Sequence, residues 1–184
     1  MQTGSSAIER FINPLSIIRQ LDVVPGNVVA DFGCGAGYFS IPFAQKIGKE
    51  GKVYCLDVLP QALEAVESRA KIMGITNIIT RRVNLENKQG SKLDKESVDW
   101  VVLKDILFQN QQKEAIIEEV HRVLKPQGKT LIVEWNDKDF SIGPDKKLRV
   151  SLKTLSKTVG KHKFSIEKVL EAGNFHYAMV LAKH

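Results

Sequence analysis

Between Val28 and Ser40 the chain reads VVADFGCGAGYFS: a short apolar run, three glycines within five residues, and then a sequence able to enter a helix. Few features constrain a fold more. An apolar run bounded by turn residues reads as a strand buried on both faces, here over residues 28–32. Glycines at 33, 35 and 37 permit a tight turn and a close backbone approach that side chains would resist. A strand that turns through glycine into a helix opens a parallel sheet with crossover helices. Ligands of such sheets sit outside the carboxyl ends of the strands, beside the first one.

The rest of the chain repeats that alternation. Residues 6–21 carry Ile8, Phe11, Ile12, Leu15, Ile18 and Leu21 at helical spacing, and Pro25-Gly26 then makes a turn. Helices are predicted over 38–48, from Pro60 to Met73 with Gly74 as its stop, and over 111–124 before Pro126-Gln127-Gly128. Strands are predicted at 53–57, 78–83, 98–103 and 130–134. The last part departs from the pattern, with a helix near 150–160 and two β-like segments, 163–170 and 175–182, close enough for an antiparallel hairpin. The expected fold is α/β: a doubly wound, Rossmann-like, mostly parallel sheet with helices on both faces and the hairpin at one edge. One domain is expected over 1–184, comprising an N-terminal helix and turn (1–27), cofactor-binding βα units (28–135) and a C-terminal helix and hairpin (136–184).

Composition narrows the setting. No apolar run approaches the ~20 residues of a membrane helix, and MQTGSSAIERF lacks the basic and apolar regions of a signal peptide. The two cysteines, Cys34 and Cys55, have no metal-like spacing. A reducing, cytoplasmic location without a metal is therefore expected.

Dinucleotide binders use G-x-G-x-x-G, which would put a third glycine at position 38, where this chain has Tyr38. A ligand other than a dinucleotide is indicated. Asp57 closes the second strand about twenty residues past the glycines, where a carboxylate can accept both hydroxyls of a ribose. It could equally support the helix start at Pro60.

Taken together, DFGCGAG, the acidic end of the second strand, VDWVVL and HRVLKPQGKTLIVEW resemble the class I S-adenosylmethionine-dependent methyltransferases, most nearly the group containing the ubiquinone/menaquinone C-methyltransferases. The resemblance runs from the helix before Pro25 to the final hairpin and implies a seven-stranded sheet with its last strand antiparallel. It implies S-adenosylmethionine as cofactor, leaving as S-adenosylhomocysteine. By position, Asp31 and the loop Gly33, Cys34, Gly35 and Gly37 would surround the methionine moiety, whose amine and carboxylate would meet loop amides and carbonyls. Asp57 would hold the ribose and Val58 the adenine. Asn84 and Leu85 stand where the family usually has an acidic residue meeting the adenine amine. Lys104 and Asp105 close the fourth strand beside the sulfonium, a charged pair where the family often has small or amide residues.

Methyl transfer needs alignment above all, and a general base only where the acceptor must lose a proton. Asp105 is the candidate base, with Glu134, His176 and Tyr177 behind it. Tyr38, Phe108 and Trp135 are candidates to line the acceptor pocket. The short segments before the first strand and after the fifth leave little chain for a lid, so an open pocket is expected, unless the N-terminal helix or a second copy in a homodimer closes it.

The net charge of +6 is local: between Asp145 and Lys168 seven lysines and one arginine stand against two carboxylates. Arg149, Lys153, Lys157 and Lys161 recur every fourth residue opposite Leu148, Leu152, Leu155 and Val159. This basic 146–163 stripe offers a surface for nucleic acid or anionic lipid, or simply a solvated helix face; no aromatic residues interleave with it to stack on bases. The expected activity is methyl transfer to a small or lipid-like acceptor. The alternatives are transfer to RNA or protein through the stripe, or a non-catalytic S-adenosylmethionine-binding module.

Overall fold

The structure, a computed structural model, describes residues 12–184. Its strands are β1 (Val28–Phe32), β2 (Lys52–Asp57), β3 (Ile78–Arg82), β4 (Val98–Lys104), β5 (Leu124–Trp135), β6 (Phe164–Ala172) and β7 (His176–Lys183). They form one sheet in the order β3-β2-β1-β4-β5-β7-β6. β1 is parallel to β2 and β4, and β5 is parallel to β4. β7 inserts antiparallel between β5 and β6. The order reverses at β1, between β2 and β4, which opens the crevice where the glycine turn lies.

Alternation along each strand builds two cores. Val29, Val53, Trp100, Val102, Leu131 and Val133 point to the face covered by α1 (Pro14–Ile18), α2 (Ser40–Ile47) and α3 (Pro60–Ile72). Ala30, Phe32, Val101, Leu103, Ile132 and Met179 point to the other face, under α4 (Lys113–Val123) and α5 (Leu152–Lys161). Burial of each large aliphatic side chain contributes about 1.5–3 kcal/mol, so the strands of the crevice rest on a rigid base.

Two predicted elements change. The helix predicted over 6–21 falls partly on residues 1–11, outside the described residues; within them it is only Pro14–Ile18. Proline holds the preceding residue extended, and Asn13 (φ −111°, ψ 104°) instead caps the new start, its Oδ1 accepting from the Ser16 amide at 3.2 Å. β5 is longer than predicted because the Pro126-Gln127-Gly128 turn is absorbed as a bulge: Val98 pairs with Leu124 and Trp100 with Lys129. Asp99 sits in that irregularity, accepting from the Val28 amide and from Lys125 Nζ, both at 2.7 Å.

Candidate functional site

The glycine turn is held to β2 by its own amides. Gly33 and Cys34 both donate to the Leu56 carbonyl (2.7 and 3.0 Å), Gly37 donates to Cys34 (2.9 Å), and Gly35 donates to Asp57 Oδ2 (2.9 Å). The other Asp57 oxygen accepts from the Leu59 amide at 3.0 Å, so one carboxylate fixes both the turn and the entry to α3. Arg69, on α3, donates to the Ala36 carbonyl at 2.9 Å and braces the far side of the turn.

The three glycines serve different ends. All have positive φ: +72°, +51° and +79°. A Cβ on Gly33 would lie 1.9 Å from Ile106 Cδ1, whereas one on Gly35 would meet nothing within 4 Å. Gly33 therefore admits a neighbour from beyond β4, and Gly35 faces open space in the crevice.

Beneath the turn, Asp31 is buried and accepts from Ser40 Oγ at 2.5 Å. Burial pushes its carboxyl up to about 6, against the lowering effect of the Ser40 hydroxyl. The Cys34 side chain is also buried, and its hydrogen bond with Cys55, with burial adding to it, pushes its thiol upward. Only the backbone of Cys34 is thus available to a ligand. Beyond Asp57, Val58 is exposed and lines an open pocket of about 380 Å³ together with Asn84, Arg82 and Lys92. Asn84 turns its Oδ1 to the Glu86 amide at 3.0 Å, and Leu85 packs on the core.

The end of β4 is built differently. Asp105 adopts φ +56°, a conformation that Asp tolerates better than most side chains. Its carboxylate pairs with Lys104 on one side, and on the other its Oδ1 lies 3.2 Å from His176 Nε2 at the start of β7. Burial works to raise the Asp105 carboxyl, but His176 and Lys104 together hold it below the usual carboxylate range. Lys104 Nζ also sits 5.9 Å from the centre of the Tyr38 ring, joining this end to the glycine turn. Tyr38, 44% exposed, donates its hydroxyl to the Ile12 carbonyl.

Glu134, on β5, is fully buried. Its Oε1 accepts from the Leu107 amide at 2.6 Å, while Oε2 has no partner. Burial, with the Asp105 charge adding to it, pushes Glu134 up to about 8, so the group is protonated at neutral pH. Tyr177 donates to the Val150 carbonyl at 2.7 Å in the interior, and burial pushes its phenol up; it belongs to the core. Phe108 likewise packs against the core.

The segment after β5 folds over Trp135. The Trp135 ring packs against His176, tilted by 43° with centroids 4.1 Å apart, and a Cβ on Gly143 would come within 2.4 Å of it. Arg149 fastens this segment by donating to the carbonyls of Pro144, Asn136, Lys138 and Ile142 at 2.8–3.4 Å, and its guanidinium lies 5.7 Å from both the Trp135 and Phe140 rings. A short segment suffices to cover Trp135 when one arginine collects four of its carbonyls.

The basic stripe is corrected. Arg149 precedes α5, which begins after the Ser151 cap, and its charge is spent inside the loop. Leu148 and Leu152 are exposed (54% and 37%), leaving Leu155 and Val159 as the buried side of the helix. Lys153, Lys157 and Lys161 remain outward.

Residues 24–178 match the family model described as methyltransferase domain. A demethylmenaquinone methyltransferase of Geobacillus stearothermophilus is 30% identical over 118 residues, 64% of this chain and 49% of that protein. A ubiquinone/menaquinone biosynthesis C-methyltransferase of Blochmanniella pennsylvanica is 30% identical over 139 residues, 75% and 53%. The chain spans about half the length of the curated relatives it matches. The crystal structure of a SAM dependent methyltransferase from Aquifex aeolicus superposes with a TM-score of 0.87 over 98% of this chain and 94% of that one, at 19% identity, a likeness of fold.

Proposed function

The chain belongs to the methyltransferase-domain family, and from that premise we propose that it transfers a methyl group from S-adenosylmethionine to a small, lipid-like acceptor of the quinol type. The observation that carries the reading is the crevice at β1. A backbone cradle is open in front of Gly35, a strand-end carboxylate stands at Asp57, and the exposed apolar Val58 borders a pocket beside it. Those parts suit, in order, an amino-acid moiety, a ribose and a flat base. When bound there, the cofactor supplies an electrophilic methyl group on a sulfonium.

The protein's own contribution is position and charge. Asp57 keeps lone pairs free for ribose hydroxyls while its bonds to Gly35 and Leu59 hold it still. The amides of Gly33, Cys34, Gly35 and Gly37 are satisfied within the fold, and the carbonyls of Cys34, Gly35 and Ala36 each accept one hydrogen bond already, so a cationic amine would take second lone pairs of loop carbonyls. Asn84 serves the adenine amine through its remaining amide-oxygen lone pair.

On the acceptor side, Asp105 stays ionised and orients His176, whose ring is held against Trp135. This pair would take the proton that a phenolic or carbon acid acceptor gives up as it is methylated, the sulfonium's carbon–sulfur bond breaking so that S-adenosylhomocysteine leaves. Glu134, protonated, adds no second negative charge beside Asp105. The acceptor class is supported by the activities that name the relatives, a demethylmenaquinone methyltransferase and a ubiquinone/menaquinone biosynthesis C-methyltransferase.

The test is transfer of labelled methyl from S-adenosylmethionine to a reduced, short-tailed demethyl naphthoquinone or benzoquinone. Label in the quinol and stoichiometric S-adenosylhomocysteine are expected. Cofactor binding without transfer to either quinol, but with transfer to RNA or protein, would overturn the acceptor assignment.

A further inference from the structure

Between α4 and α5 lies a cavity of about 170 Å³ that the methyl-transfer chemistry leaves unused. Its walls are the side chains of Leu107, Ile117, Val150 and Leu155, all core residues less than a tenth exposed. The polar groups around it are engaged elsewhere. Thr154 Oγ1 and Ser151 Oγ are hydrogen-bonded at 2.9 Å, and Thr158 Oγ1 donates to the Thr154 carbonyl at 3.2 Å. Lys113 turns its ammonium to the Asn110 carbonyl at 2.5 Å, and Arg149 places four of its N–H donors on loop carbonyls. Thr154 is exposed and Thr158 half-buried, so the cavity reaches the surface beside α5.

Walls of this kind hold hydrocarbon. An apolar cavity of about 150 Å³ takes up benzene, so this one has room for a ring or a short branched chain. Pockets that enclose whole drug-sized ligands run to about 300 Å³ and more; the guest here is therefore one part of a larger molecule. The surroundings indicate which molecule. Leu107 donates its amide to Glu134 Oε1 at 2.6 Å, and the Val150 carbonyl accepts from the Tyr177 hydroxyl at 2.7 Å. Glu134 and Tyr177 are partners in the β5–β7 ladder, and the next pair along it is Trp135 and His176. The cavity walls are thus bonded to the strand ends that carry the acceptor cluster. We propose that the cavity takes an uncharged hydrocarbon substituent of the methyl acceptor, of the size of a ring or a short branched chain, and so selects acceptors that carry one. The inference rests on the methyl-transfer reading above and specifies the apolar part of its acceptor.

The test is calorimetric titration of the full chain, with S-adenosylhomocysteine bound, using three ligands under reducing conditions: a naphthoquinol, the same quinol with an isopentyl substituent, and the same quinol with a carboxypropyl substituent. The isopentyl quinol should bind about tenfold or more tighter than the unsubstituted one, and the carboxypropyl quinol no tighter than the unsubstituted one. Thr158→Phe fills the cavity and should bring the ratio of isopentyl to unsubstituted affinity to about one. Thr154→Leu, a milder change at the exposed mouth, should lower that ratio by about threefold or more. Both variants should bind S-adenosylhomocysteine like the wild type, which checks their folding. Equal affinities for the isopentyl and unsubstituted quinols, tighter binding of the carboxypropyl quinol, or a preference unchanged in both variants would overturn the proposal. Methyl transfer to these quinols without the preference would do so too, and would leave the methyl-transfer reading standing. A preference abolished by the variants, with no transfer from S-adenosylmethionine to any of the quinols, would sink that reading and leave the cavity assignment in place.

Discussion

The two sides of the crevice are constructed on opposite principles. At β1 and β2 the turn is made of backbone, and its amides are tied off within the turn or on the adjacent strand end: those of Gly33, Cys34, Gly35 and Gly37 all have acceptors. At β4, β5 and β7 the work falls to side chains brought from distant segments, and satisfaction is incomplete. Among the described residues, buried Glu134 Oε2 and His176 Nδ1 have no hydrogen-bond partner, and Asp105 Oδ1 meets only His176 Nε2, at 3.2 Å and outside good hydrogen-bond alignment. An unsatisfied buried polar group costs about 1–3 kcal/mol, and a fold retains such costs where something else compensates. The first side is made to hold one ligand in one pose. The second is left able to exchange protons and accept partners.

The sharpest way to break this comparison is at the joint between the sides. Gly33→Ala places a Cβ at φ +72° against Ile106, while Gly35→Ala places one at φ +51° in open space. Gly33→Ala should cost about 3 kcal/mol or more in denaturant melts and Gly35→Ala about 1 kcal/mol, the latter being backbone strain alone. Adding Ile106→Ala to the Gly33 variant should recover part of the loss. Equal costs for the two glycines would show that the sides are not packed through Ile106.

Next in size is the Asp105–His176 pair. Asp105→Asn and His176→Ala should each lower turnover by about a hundredfold or more, with cofactor affinity changed less than about twofold. A loss of cofactor affinity as large as the loss of turnover would place the pair on the cofactor side instead.

Glu134 sharpens the comparison through pH. The unfolded chain releases this proton near the ordinary value of 4.5, and the folded protein keeps it up to about 8. The group's stabilising contribution is therefore whole below 4.5 and is lost as pH rises through about 8. Glu134→Gln copies the protonated form. It should stabilise the protein by on the order of 2 kcal/mol at about pH 8 and far less at about pH 5, read from melts at both. A gain independent of pH would contradict the assignment. Smallest is Arg149→Lys, which cannot span four carbonyls. It should leave global stability within about 1 kcal/mol and expose residues 136–149 to proteolysis.

The same contrast decides what the sequence could reveal. DFGCGAG and Asp57 are legible because backbone turns and strand ends are written in contiguous residues, and the alternation of strands and helices carries the seven-stranded sheet with them. The Asp105–His176 contact is not legible as a pair. Each residue stands out at its own strand end, but only the antiparallel insertion of β7 beside β5 brings them together. Arg69 bracing Ala36 leaves no local signal, and Ser40 shows only as a polar residue at a helix start. Arg149 misleads because four-residue periodicity ignores caps. Ser151, accepting from the Thr154 amide at 3.1 Å, starts the helix after the arginine and frees it for the loop.

The central claim is that the crevice at β1 takes S-adenosylmethionine. The direct measurement is calorimetric titration of the full chain with S-adenosylmethionine and S-adenosylhomocysteine, with NAD as the control, repeated on Asp57→Ala. Saturable binding of both sulfur ligands, no binding of NAD, and an affinity loss of about a hundredfold in the variant are predicted, since two hydrogen bonds to a charged group are removed. Absence of binding by either sulfur ligand, or equal affinity in Asp57→Ala, would contradict the account.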